Sequence, residues 1–247
     1  MRKLELLGLL LGLTVPADAE SLRVLALRSD SFFVEKDGRH GGIEYDILES
    51  FAKNQGVALS VQWVGSFTEL LSRVEKGNLD VAAGTITITA EREKRMDFSA
   101  PYFPVQIVLV ERAAETTRRS EELAGAKVGA FRGTTAEDAL RAIAGVKVVY
   151  GGTLQEMFEA VARGELRAVA ADSSSVIPAL EGHPLLKLGL TFGKEQNFGF
   201  ALPKGSPLKE PLSQHIARLK DSGIYFRILK QNLGPKATEI VLAARER

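Results

Sequence analysis

The sequence predicts an α/β protein built from two similar lobes joined by two strands. Two observations carry that prediction. A strand–helix–strand alternation fills the first hundred residues and restarts at Lys127, and two apolar strands interrupt it, one between the halves and one after the second.

In the first half, residues 22–27 (LRVLAL) read as a short buried strand. Residues 45–53 place Ile47, Leu48 and Phe51 on one helical face, with Gly56 as the stop. Residues 57–63 alternate like a strand. Residues 67–76 form an amphipathic helix carrying Leu70, Leu71 and Val74, ended by Gly77. Residues 79–87 read as the next strand, and Thr89 caps a helix beginning Ala90-Glu91-Arg92. The second half repeats the layout without repeating the sequence: strands at 127–131, 146–150 and 167–171, helices at 134–143, 154–163 and 174–180. The interrupting strands are residues 105–111 (VQIVLVE) and 198–202 (FGFAL), and a helical tail runs from Leu208 to Leu229. If that tail packs on the first lobe, the chain crosses between lobes twice. The expected organisation is then a first lobe over 20–107, a second over 108–195, and a return with the tail over 196–247. A cleft between such lobes is a common ligand site.

Composition narrows the function. Hydrophobic residues are 45% and charged residues 26%, which is ordinary for a globular chain. Lys and Arg number 32 against 31 for Asp and Glu, so nothing favours a polyanion such as nucleic acid. The absence of cysteine excludes disulfides, a thiol nucleophile and a lipidated cysteine tether. Arg2 and Lys3 precede the apolar residues 6–15, and Ala17 and Ala19 make an A-x-A pattern. Despite Glu5 at its edge, this is the layout of a cleavable secretory signal over residues 1–19, too short to span a bilayer as a helix. The expectation is a soluble, monomeric protein in a periplasm. His40, His183 and His215 are scattered, so no metal site is expected. No nucleophile elbow, phosphate loop or dinucleotide fingerprint occurs, so neither a cofactor nor an enzymatic activity is expected.

Residues 82–103 (AAGTITITAEREKRMDFSAPYF) are similar to the most characteristic stretch of the family 3 extracellular solute-binding proteins, which serve ABC importers of polar amino acids. Gly42-Ile43-Glu44-Tyr45-Asp46-Ile47 resembles the family's G-F-D-x-D-L element, and Gly133-Thr134-Thr135-Ala136-Glu137 its G-T-T-x-E opening of the second lobe. Val169-Ala170-Ala171-Asp172 resembles the strand that ends in a ligand-binding Asp, and residues 198–203 the return strand. The matches are in order over residues 22–234. The resemblance implies a type II periplasmic-binding-protein fold of two parallel-rich sheets flanked by helices and joined by two hinge strands. It also implies a small amino-acid ligand and an ABC permease partner. Glu44-Tyr45-Asp46 further resembles the binding-protein-like module of membrane-bound lytic transglycosylases; with no room for a catalytic domain after residue 234, that activity is not expected here.

An amino-acid site must neutralise a carboxylate and an ammonium before it discriminates a side chain. Arg92 offers a planar fork for a carboxylate, though its spacing equally suits a solvated helix arginine in the charged run 91–95; the resemblance makes it the carboxylate-binding residue. Thr85 and Thr87, two apart on the expected strand, share one face and reflect either β-propensity or, by resemblance, the wall of the site. Thr134-x-x-Glu137 is a capping box whose helix presents free N–H groups to an anion, and the resemblance makes Thr135 a donor to the carboxylate. Asp172 ends an apolar strand and needs a cation, unless it caps the following helix; the resemblance gives it the ligand's ammonium. The side-chain pocket departs from the family. Where an aromatic Y-x-P-F-like loop is usual, this chain has the shorter, proline-free Ser29-Asp30-Ser31-Phe32-Phe33. Either Phe32 or Phe33 covers the ligand, Phe67 forms an apolar wall, and all three also read as core. Such walls suit an apolar side chain or the stem of a cationic one, which Asp30 could meet. The expected function is capture of a small α-amino acid or related ligand for an importer. The alternatives are a cell-wall-related ligand sensor and a cyclohexadienyl-dehydratase-like enzyme on the same fold.

Overall fold

The computed structural model describes residues 21–234; the expected secretory signal lies outside them. In chain order the elements are β1 (Ser21–Ala26), β2 (Val34–Lys36), β3 (Arg39–Gly41), α1 (Ile43–Gln55), β4 (Ala58–Trp63), α2 (Phe67–Lys76), β5 (Val81–Ala83), α3 (Ala90–Glu93) and β6 (Met96–Phe98). They continue with β7 (Phe103–Arg112), β8 (Lys127–Ala130), α4 (Thr135–Arg141), β9 (Lys147–Tyr150), α5 (Leu154–Ala162), β10 (Ala168–Asp172), α6 (Ser173–Ala179), β11 (Leu186–Phe198), β12 (Ala201–Pro203), α7 (Lys209–Asp221) and α8 (Ile224–Leu233).

Two five-stranded sheets define the two lobes, in the orders β4-β1-β5-β12-β6 and β11-β7-β10-β8-β9. In the first, β1 runs parallel to β4 and β5, while β12 is antiparallel to β5 and β6. In the second, β8 runs parallel to β9 and β10, while β7 is antiparallel to β10 and β11. Each parallel trio therefore aims its carboxyl ends at one side, which is where open α/β sheets bind ligands. Helices with narrow apolar stripes cover the sheets: α2 buries Leu70, Leu71 and Val74 and exposes its charged face. The connecting strands β7 and β11 begin and end at the junction, where Phe103 pairs with Phe198. The crossings beside that pair are held by Ser99 N–H to Phe200 O (2.9 Å) and Tyr102 N–H to Phe198 O (2.9 Å). α7 and α8 then pack on α1, returning the chain to the first lobe.

Several sequence expectations are corrected in detail. The strand expected over 79–87 is only Val81–Ala83, because Gly84 packs against Leu27 and Leu70 too closely for a side chain and Thr85 turns to a φ of 51°. Thr85 and Thr87 thus do not share a strand face; Thr87 instead forms an isolated bridge with Phe198. The strand expected at 198–202 is split at Gly199-Phe200 between β11 and β12. The long strand β11 itself has no alternating pattern, since register shifts fall between Leu188 and Thr191 and between Phe192 and Gln196. The single helical tail is two helices, broken at Gly223, whose φ is 72°.

Candidate functional site

The first turn of α1 sets one wall of the site. Gly42 enters the helix at a φ of 110°, and a Cβ there would sit 2.3 Å from the Phe32 carbonyl oxygen, so only glycine fits. That entry drives Glu44 into the core, where it is fully buried. Its Oε1 accepts from Gly84 N–H (3.0 Å), Thr85 N–H (2.9 Å) and the Tyr102 hydroxyl. A β-branched residue rarely takes Thr85's left-handed φ; Glu44 is what holds it there. Burial pushes the Glu44 carboxyl up, and its three donors oppose that shift. Glu44→Ala would leave those donors buried without an acceptor and is expected to destabilise the protein by about 3–5 kcal/mol. Glu44→Gln keeps an acceptor and is expected to lose less than half of that. Denaturant melts of both variants decide the point; equal losses would show that charge, not hydrogen-bond geometry, matters there.

Between the lobes lies a cleft of about 610 Å³. From the first lobe it is lined by Asp30, Phe32, Phe67, Thr85, Thr87 and Arg92, and from the second by Arg132, Thr135, Tyr150, Asp172 and Ser174, among others. Seven of the eight sequence-predicted residues thus converge on one space. The exception is Phe33, which is fully buried on the far side of its loop against His40, Tyr45 and Trp63. Phe32 reaches the cleft while packing edge-on against Phe103 at 5.0 Å and Phe198 at 5.8 Å, beside the crossing strands.

Thr89 caps α3, its hydroxyl accepting from Arg92 N–H at 3.2 Å, which fixes the direction of the Arg92 side chain. Arg92 is buried rather than solvated. Its Nη1 donates to Thr87 O (2.7 Å) and its Nη2 crosses the cleft to Gly133 O (2.9 Å), with the guanidinium 5.1 Å from the Phe67 ring centre. Burial brings its pKa down to about 10, with Asp172 opposing, so it stays a cation at neutral pH. Two of its five N–H donors are used by these carbonyls, leaving enough for a bidentate acceptor.

Asp172 occupies the N-cap position of α6 but caps nothing. Its Oδ1 is buried without a hydrogen-bond partner among the described residues, and burial pushes its pKa up to about 7 against the pull of Arg92. Thr134 caps α4, accepting from Glu137 N–H, but the return arm of the expected box goes elsewhere: Glu137 Oε2 accepts from Gly133 N–H at 2.6 Å. That bond secures the backbone of the loop whose carbonyl meets Arg92. The Thr135 hydroxyl donates to Gln196 Oε1 of β11 at 3.1 Å. Sequence reasoning missed Arg28, Arg132, Tyr150 and Ser174 as lining residues. Their common signal is position, since Tyr150 ends a strand of a parallel trio and Arg28, Arg132 and Ser174 each come two residues after one.

The described residues contain no helix long and apolar enough to cross a membrane, and no cluster of three or more metal-ligating side chains. Residues 27–235 match the model of the bacterial extracellular solute-binding proteins, family 3. The chain is 28% identical over 81% of its length to a membrane-bound lytic murein transglycosylase F of Desulfosudis oleivorans, but spans only 45% of that relative. It is 28% identical to the L-cystine-binding protein TcyJ of Escherichia coli, over 84% of this chain and 79% of the relative. The ligand-binding core of GluR0 from Nostoc punctiforme, solved with L-glutamate, superposes with a TM-score of 0.78 at 26% identity, covering 87% of this chain and all of that one. With a family match across both sheets and the cleft between them, the chain belongs to the bacterial extracellular solute-binding proteins, family 3.

Proposed function

We propose that the protein captures an α-amino acid in the interlobe cleft, with Arg92 and Thr135 meeting the carboxylate and Asp172 the ammonium. One observation carries this reading. Arg92 and Asp172 face the same cleft with opposite charges, yet form no ion pair with each other, and the Asp172 Oδ1 has no hydrogen-bond partner among the described residues. A buried carboxylate left unpaired is costly, and a zwitterion placed between the two groups neutralises both. Thr85 and Thr87 line the same end, and Phe32 and Phe67 supply apolar walls. Because Arg92 reaches Gly133 across the cleft, a ligand bound there favours the closed arrangement by its differential affinity. The extracellular family and the cystine-binding relative support delivery to an ABC importer from a periplasm.

The test is a thermal-shift screen of the natural amino acids, citrulline, ornithine and small peptidoglycan fragments. A ligand at a hundredfold excess over its dissociation constant contributes about 3 kcal/mol, or roughly 6–12 °C in melting temperature for a chain this size. No shift with any α-amino acid at millimolar concentration would refute the reading. The transglycosylase relative, of which the chain spans 45%, favours a second reading as a cell-wall sensor. A response to peptidoglycan fragments without amino-acid uptake in cells would select it.

A further inference from the structure

We infer that Gln196 is a positioning residue of the cleft: its carboxamide turns over as a ligand's carboxylate arrives, changes from acceptor to donor, and so releases the Thr135 hydroxyl hydrogen to the ligand. This rests on the amino-acid reading above, which gives Thr135 to the carboxylate, and adds what makes that hydroxyl available.

Thr135 has one hydroxyl hydrogen, and it is already in use. The hydroxyl lies 3.1 Å from Gln196 Oε1, and a carboxamide oxygen only accepts, so Thr135 is the donor. A carboxylate also only accepts, and it therefore competes with Gln196 for the same hydrogen. The neighbouring Thr134 lines the cleft too but cannot substitute. Its hydroxyl donates to Phe131 O at 2.8 Å and accepts from Glu137 N–H as the cap of α4.

A carboxamide resolves the competition because it carries a donor and an acceptor in one plane. The last torsion of a glutamine side chain has two broad wells half a turn apart, so oxygen and nitrogen can exchange places with little strain. After the exchange, Nε2 donates to Thr135 Oγ1 and the hydroxyl hydrogen is free for the ligand. Nothing opposes the turn, since Nε2 makes no hydrogen bond among the described residues. Gln196 is half-buried and lines a second cavity, with Ile88, Pro101 and Ser213, that shares no lining residue with the cleft. It therefore acts on a ligand through Thr135 and not by contact. Its backbone, by contrast, is fixed. β11 advances four residues from Phe192 to Gln196 while β7 advances two from Ile107 to Val105, and pairing resumes at Gln196. Directly after it, Asn197 O accepts from Ile88 N–H at 2.8 Å and Phe198 bridges to Thr87. The side chain is the part left to move.

Isothermal titration with the natural amino acids and cystine, each singly, selects the tightest binder of the parent protein as the probe for variants whose melting curves show them folded. Gln196→Met deletes the partner of Thr135 and is expected to weaken binding about fivefold. Gln196→Glu keeps the size and the acceptor but, ionised, has no N–H to offer; it holds the hydrogen and is expected to cost about thirtyfold or more. A merely structural tie between α4 and β11 predicts the reverse order, because glutamate preserves the bond and methionine removes it. The added charge of glutamate acts with or without the hydroxyl, so Thr135→Val separates the two effects. That variant alone is expected to bind at least about tenfold more weakly than the parent. In its background Gln196→Met should change affinity by less than about twofold, and the loss from Gln196→Glu should shrink at least about fivefold. Gln196→Glu binding as tightly as Gln196→Met, Thr135→Val binding like the parent, or Gln196 effects unchanged in the valine background overturns the inference while leaving the amino-acid reading intact. No binding of any probe by the parent overturns both.

Discussion

In ligand-free melts at pH 8, Asp172→Asn is expected to be more stable than the parent protein, and its response to α-amino acids is expected to vanish. The Asp172 carboxyl is raised from 3.8 to about 7 because its burial outweighs the attraction of Arg92. A carboxyl raised on folding keeps its proton in the folded state while the unfolded chain releases it. Stability therefore falls as pH rises from about 4 to about 7, and the loss is complete above that window. Three pKa units at about 1.4 kcal/mol each set the upper bound near 4 kcal/mol. Asparagine carries no charge and escapes this loss, so the difference between parent and variant should grow from pH 5 to pH 8. A variant that is less stable than the parent at pH 8 would mean that Arg92 already satisfies the carboxylate. The ligand's ammonium acts in the opposite sense, since it favours the charged form. Affinity for amines should accordingly fall about tenfold per pH unit below 7, while affinity for acids without an amine should not. The group that weakens the free protein is the one that captures the ligand, as strained or unpaired groups at functional sites often do.

The alternation of strands and helices was legible because it depends on period, and period survives in any one sequence. The limits of α2 at Phe67 and Lys76 follow from Ser66 as cap, the Leu70-Leu71-Val74 stripe and Gly77 as stop. Arg92, Thr135 and Asp172 were legible for a different reason, as residues within motifs. What escaped depends on contacts between segments far apart in sequence. Nothing local announces that Thr85 leaves the strand, because the acceptor that bends it is Glu44, forty-one residues earlier. The choice between Phe32 and Phe33 is likewise set by Gly42 and by the packing of Trp63 and Tyr45 behind the loop. β11 was invisible because its two register shifts erase the alternation that identifies a strand. Arg132 escaped because an arginine after a strand has no signature until Tyr150 is seen beneath it.

Arg92→Ala is expected to reduce amino-acid affinity by about 30-fold to several thousandfold, the 2–5 kcal/mol typical of removing one partner of a buried, hydrogen-bonded charge pair. The free protein should change much less. Its loss is confined to two carbonyl partners, at Thr87 and Gly133, and the variant is relieved of a cation that burial already disfavours. Binding loses more, for two reasons. The ligand's carboxylate would meet Asp172 with no cation beside it, and the hydrogen bond across the cleft to Gly133 would be gone. Arg92→Lys separates charge from geometry. An ammonium keeps the positive charge but cannot hold two carbonyls on opposite lobes and also grip a carboxylate with a planar fork. Its affinity should fall between the parent and the alanine variant, and its closure should resemble that of alanine. Titration calorimetry measures the first quantity, and the ligand-induced decrease in radius of gyration by solution scattering measures the second. If Arg92→Ala binds within threefold of the parent, the carboxylate is held elsewhere. If Arg92→Lys closes fully, charge alone draws the lobes together and the fork is not required.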